Sequence, residues 1–118
     1  MSTTLKLVQS DTLPEIAVRL YDEQSDDFGN ITEVPIDLSD VASVAMYFRK
    51  KGQTALTDTL AGQVVPPATG GVLKFQFTAL SLAGDAGSYE GEIELTMSGG
   101  GKFTVYETVN FKVRAQFA

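Results

Sequence analysis

The stretch "GDAGSYEGEIELTM", Gly84 to Met97, sets an acidic, glycine-containing turn directly before a tyrosine and then alternates polar with apolar residues. Tyr89, Gly91, Ile93, Leu95 and Met97 fall on one face, while Glu90, Glu92 and Glu94 fall on the other. A period of two is that of a strand with one buried and one wet side.

The turn ahead of it, Asp85-Ala86-Gly87-Ser88-Tyr89, has the order D-x-G-x-Y. In immunoglobulin-like sandwiches a tyrosine near the start of strand F turns its hydroxyl back onto upstream backbone and pins the corner. An aspartate bonds nearby backbone amides in such a turn, and Gly87 tolerates a positive φ. Asp85, Gly87 and Tyr89 are therefore expected to be architectural rather than to stack on a ligand.

The same alternation recurs along the chain. Leu5 to Val8 reads as a strand, and Ile16 to Tyr21 as a second, with Ile16, Val18 and Leu20 on one side. Val41 to Lys50 turns Val44, Met46 and Phe48 one way; Leu73, Phe75 and Phe77 make another inward set. Thr54 to Thr59 reads as a short edge strand. "VPPATGG", Val65 to Gly71, is excluded from a sheet interior because its prolines lack ladder donors. "TALSLAGDAG", Thr78 to Gly87, has room for a helical turn, and "SGGGK" reads as a hairpin turn. Phe103 to Arg114 reads as the last strand, with Glu107 breaking its apolar face, so a bulge or a change of sheet is expected there.

About seven or eight strands at short, regular spacing predict an all-β, immunoglobulin-like antiparallel β-sandwich. With 118 residues, no repeat and no linker, the whole span 1–118 reads as one domain.

Composition narrows the chemistry. The chain has no cysteine, histidine or tryptophan. This removes disulfides, Ser-His-Asp and Cys-His nucleophile systems, and zinc sites with a histidine or cysteine ligand. A net charge of −6 repels phosphate backbones and anionic lipid, so neither nucleic acid nor membrane is an expected partner. The N-terminus lacks the pattern of a secretory signal, which points to synthesis in a cytoplasm.

Three features invite sharper readings. Asp22, Glu23, Asp26, Asp27 and Asn30 supply oxygen ligands, yet not in the order of a calcium-binding EF-hand loop, and a solvated acidic loop is expected. Glu90, Glu92 and Glu94 stand at a spacing near that of a glycosidase pair. A single strand face is no concave sugar site, so they are expected to pair across strands with Arg49, Lys112 or Arg114. Neither "SGGGK" nor "ATGG" sits between a strand and a helix as a phosphate loop does. No catalytic residue, metal or cofactor is expected. Tyr21, Tyr47 and Tyr106 point away from the core, either covering a neighbouring strand or serving as partner contacts.

Taken in order, "LPEIAVRLYDE…FGN", "VPIDLSDVASVAMYFRK", "ATGGVLKFQF" and "LAGDAGSYEGEIELTMSGGGKFTV" resemble the small immunoglobulin-like domain of tailed-phage virion proteins. The nearest family is the N-terminal domain of baseplate upper proteins (BppU-like), and the resemblance covers roughly residues 11–114. It implies a non-enzymatic structural module of the tail, baseplate or neck, made in the host cytoplasm and carried in the virion. Its implied partners are other phage virion proteins, in a homo-oligomer or a symmetric multi-copy assembly. Head decoration, or a module gripping a host-surface glycan or protein, are the alternatives.

Overall fold

Ten strands build the molecule in a computed structural model that describes residues 4–11, 15–78 and 81–117. They are β1 (Thr4–Val8), β2 (Ile16–Arg19), β3 (Tyr21–Ser25), β4 (Ile31–Pro35), β5 (Val41–Lys50), β6 (Asp58–Val64), β7 (Val72–Phe75), β8 (Gly87–Met97), β9 (Lys102–Thr104) and β10 (Val109–Arg114). One curled sheet runs β1-β10-β8-β5-β6-β7-β2, with β9 also on β8, and β3 and β4 form a separate two-stranded ribbon.

The architecture is an immunoglobulin-like β-sandwich, because the curl folds the two ends of the strand path over a common core. Alternate residues of the main strands enter it: Val44, Met46 and Phe48 from β5, Tyr89, Ile93 and Leu95 from β8, Leu73 and Phe75 from β7, Phe111 and Val113 from β10. Phe48 is the hub. Its ring stacks on Tyr89 at 5.0 Å and meets Phe77 and Phe111 edge-on at 5.6 and 5.2 Å, the offset and T-shaped arrangements that aromatic quadrupoles favour.

The strand tally is higher than the sequence suggests, for identifiable reasons. The acidic segment Asp22–Asn30 is not a loop: Asp22 to Ser25 pair with Ile31 to Val34, and only residues 26–30 form the turn. The Ile16–Tyr21 run accordingly divides, with β2 ending at Arg19 and Tyr21 opening the ribbon.

The expected edge strand at Thr54–Thr59 lies further on, at Asp58–Val64, and is central, between β5 and β7. Leu60 is its one fully buried large side chain, and at Gly62 the ring of Phe75 fills the place of a side chain. Apolar alternation is therefore faint there.

The expected last strand, Phe103–Arg114, is two strands. Thr104 faces Glu94 and Val109 faces Gly91, so four residues, 105–108, stand opposite two on β8. The chain bulges around Glu107 and stays on β8 rather than changing sheets. The sandwich is also not wholly antiparallel, since β1 lies parallel to β10.

The "VPPATGG" segment holds a short 3-10 turn, Ala68–Gly70, preceded by a cis Pro66–Pro67 peptide. Of the expected helical turn in Thr78–Gly87, residues 79 and 80 lie outside the described residues, and 81–84 form a non-helical turn.

Candidate functional site

The corner at Tyr89 is built as its sequence demands. The buried phenol donates to the Asp85 carbonyl oxygen at 2.6 Å. Gly87 sits at φ +146°, which L side chains rarely adopt. Burial, then the nearby Asp85 charge, raises the Tyr89 phenol above its usual range and keeps it a donor. Lys50 Nζ stands 3.7 Å from the Asp85 carboxylate, tying the corner loosely to the end of β5. Gly87 thus shapes the turn in which the Asp85 carbonyl receives the Tyr89 hydroxyl.

Two of the three carboxylates of β8, Glu90 and Glu94, are engaged. Arg49 places Nε and Nη2 each 2.9 Å from the Glu90 Oε1. The Tyr47 hydroxyl donates to Glu94 at 3.1 Å, and Lys102 lies 3.8 Å from the same carboxylate. Hydrogen bonding to Glu94, then its charge, raises the Tyr47 phenol above its usual range. Of the cations expected to pair with these glutamates, Arg49 does so, whereas among the described residues Lys112 and Arg114 make no ion pair with them; Glu94 is met instead by Lys102 and the Tyr47 hydroxyl, because β9 rather than β10 flanks it.

The three outward tyrosines separate. Tyr47 belongs to the hydrogen-bonded face of the sheet and lines a shallow cleft of about 80 Å³ with Arg49, Glu90 and Glu92. Tyr21 and Tyr106 instead flank a groove of about 620 Å³ between the ends of the strand path, floored by Leu5, Val18, Ile36, Phe103, Val105 and Val109. Tyr106 rides the bulge and is 98% exposed. Tyr21 lies under the Arg19 guanidinium at 5.8 Å, and a hydrogen bond to Glu33 with that carboxylate's charge raises its phenol.

The acidic residues between Asp22 and Asn30 do not converge on a cation site. Asp22 and Glu23 are consecutive on β3 and so point to opposite faces. Asp26 is occupied by its own turn: Oδ1 accepts the amides of Phe28 and Asn30 at 2.8 and 2.9 Å, and Oδ2 accepts the Asn30 side-chain amide at 3.0 Å. Those bonds hold its carboxyl below the usual range. Among the described residues no three His, Cys, Asp or Glu side chains gather as a metal site.

The least expected surface is the β3–β4 ribbon. Nearly every residue on both its faces is exposed, and its tip carries Phe28 and Ile31, 90% and 67% exposed. The radius of gyration, 15.7 Å, exceeds the roughly 13.5 Å of a compact chain of this length. Seven charged or amide side chains between Asp22 and Glu33 conceal this ribbon in the sequence; the alternation of Tyr21 and Glu23 against Asp22 and Gln24 carries no hydrophobic signal.

No protein-family model and no curated protein matches the chain. Among solved structures, CopC from Methylosinus trichosporium OB3b is similar at a TM-score of 0.52 with 11% identity, over 99% of this chain and 89% of that one. At that identity the likeness concerns the sandwich fold alone.

Proposed function

We propose that this chain is a non-enzymatic structural subunit of a tailed-phage virion, placed in the tail, baseplate or neck and docking to neighbouring subunits. The observation that carries the reading is the exposed ribbon ending in Phe28 and Ile31. A two-stranded ribbon gains little stability alone in water, and large apolar side chains at its tip suit an intersubunit contact. The resemblance of residues 11–114 to virion immunoglobulin-like domains supports the same reading, as does the engagement of Glu90 and Glu94 with Arg49, Tyr47 and Lys102. The chain then works through shape: the sandwich, pinned at Tyr89, holds the ribbon and the Tyr106 bulge in fixed positions for partners.

Immunogold electron microscopy of purified particles, with an antibody against the chain, tests this. Gold at one fixed position on the particle is the expected result. No label above background on intact and on disrupted particles would overturn it.

A further inference from the structure

Within the ribbon, Glu23 lies directly opposite Glu33. Two like charges at a cross-strand position destabilise a pairing, and among the described residues neither carboxylate makes an ion pair. The same arrangement occurs with the opposite sign at the edge of the main sheet. Lys6 on β1 lies beside Lys112 on β10, both exposed and likewise outside any ion pair among the described residues. The row continues through Ser88 to Lys51, whose amide donates to the Ser88 carbonyl.

These two pairs do not meet within one molecule. Glu23 lines the groove alongside Leu5, and Lys6, the next residue on β1, points to the other side of the strand. The groove itself is a poor seat for another copy's ribbon, since its own rim carries Asp22, Glu23 and Glu107 against Arg19 alone.

We propose that the occupant of the ribbon face is a second copy of this chain, with the Glu23–Glu33 pair of one molecule seated on the Lys6–Lys112 pair of the next. Each like-charged pair then gains opposite charges at matching cross-strand spacing. Tyr21 and Ile31 share the glutamates' face through the pairings Tyr21–Pro35 and Ser25–Ile31 and flank the contact. The contact joins different surfaces of the two copies, so repetition generates a ring or an open filament. The proposal rests on the docking reading above and names its partner.

Sedimentation velocity of the full chain from about 1 µM to 1 mM tests it. Wild type is expected to self-associate reversibly, less so at high salt. Glu33→Lys alone turns the ribbon's like pair into an opposite pair but gives up the Tyr21 hydrogen bond, so the monomer's melting temperature should change little while association weakens about tenfold or more. Lys6→Glu with Lys112→Glu should also leave a monomer, and mixing it with Glu23→Lys, Glu33→Lys should restore complexes. A wild type monomeric throughout, or association unmoved by Glu33→Lys, overturns the pairing. If the chain is found in particles while these variants change nothing, the pairing fails and the virion reading stands. If the variants behave as described but particles lack the chain, the virion reading fails and the pairing stands.

Discussion

The Tyr89 hydroxyl reaches back four residues to the Asp85 carbonyl at 2.6 Å while its ring lies parallel to that of Phe48, 1° between planes. One side chain thus fixes the corner and completes the aromatic centre. Tyr89→Phe keeps the ring and removes the bond, which costs about 1 kcal/mol and lowers the melting temperature by about 4 °C. Tyr89→Ala removes both and costs about 3–5 kcal/mol. Paired thermal melts check the difference.

Gly62 shares a tight contact with Phe75, because a Cβ there would sit 2.5 Å from the ring and 3.0 Å from Val44 Cγ1. Gly62→Ala should destabilise by about 1–3 kcal/mol through overpacking. Combined with Phe75→Leu, the loss should be smaller than the sum of the two singles. Denaturant titration of the four proteins closes that cycle, and strict additivity would contradict the contact.

Asp58 anchors the start of β6 to the segment after β7. Its Oδ2 accepts the Thr78 and Ser81 hydroxyls at 2.6 Å each, and its Oδ1 accepts the Thr59 amide at 2.8 Å. Partial burial raises its carboxyl pKa, but the Ser81, Thr78 and Thr59 bonds outweigh that and leave it lowered. A folded pKa below the unfolded one means stability that is present above the unfolded value near 4. It is lost as pH falls through the lower folded value. Stability measured from pH 6 to 2 should therefore decline on the acid side, and Asp58→Asn should shallow that decline while lowering stability at pH 6.

Because Asp26 spends both oxygens on its own turn, calcium has little to gain at the ribbon tip. Melting curves in excess calcium and in chelator should coincide. A rise of several degrees with calcium would contradict this account.

What the sequence reveals tracks how strongly burial writes itself into alternation. β5 from Val44 to Phe48 and β7 carry large apolar residues at every second position, β8 does so from Tyr89 onward except at Gly91, and their inward sets emerge from the pattern directly. The D-x-G-x-Y order likewise places the Tyr89 corner, since a buried phenol needs a partner and the turn just upstream offers the Asp85 carbonyl. β6 escapes because Gly62 substitutes for a side chain, and the ribbon escapes because neither of its faces is buried. Glu107 signals the bulge, but the parallel seat of β1 on β10 depends on a tertiary pairing that no local pattern encodes. The Asp58–Ser81 bond spans 23 residues and is hidden for the same reason. As for the site, Tyr21 and Tyr106 can be picked out as outward aromatics; that Tyr47 is tied down by Glu94 emerges only once β5 and β8 are in register.

The virion role proposed above makes the chain a repeated building block of a phage particle. Its copy number, measured in purified virions against isotope-labelled peptide standards, tests this most directly. A constant value above one, commensurate with the symmetry of the neighbouring virion proteins, is the predicted result. Particles that lack the chain, or hold it in trace amounts that vary between preparations, would contradict it.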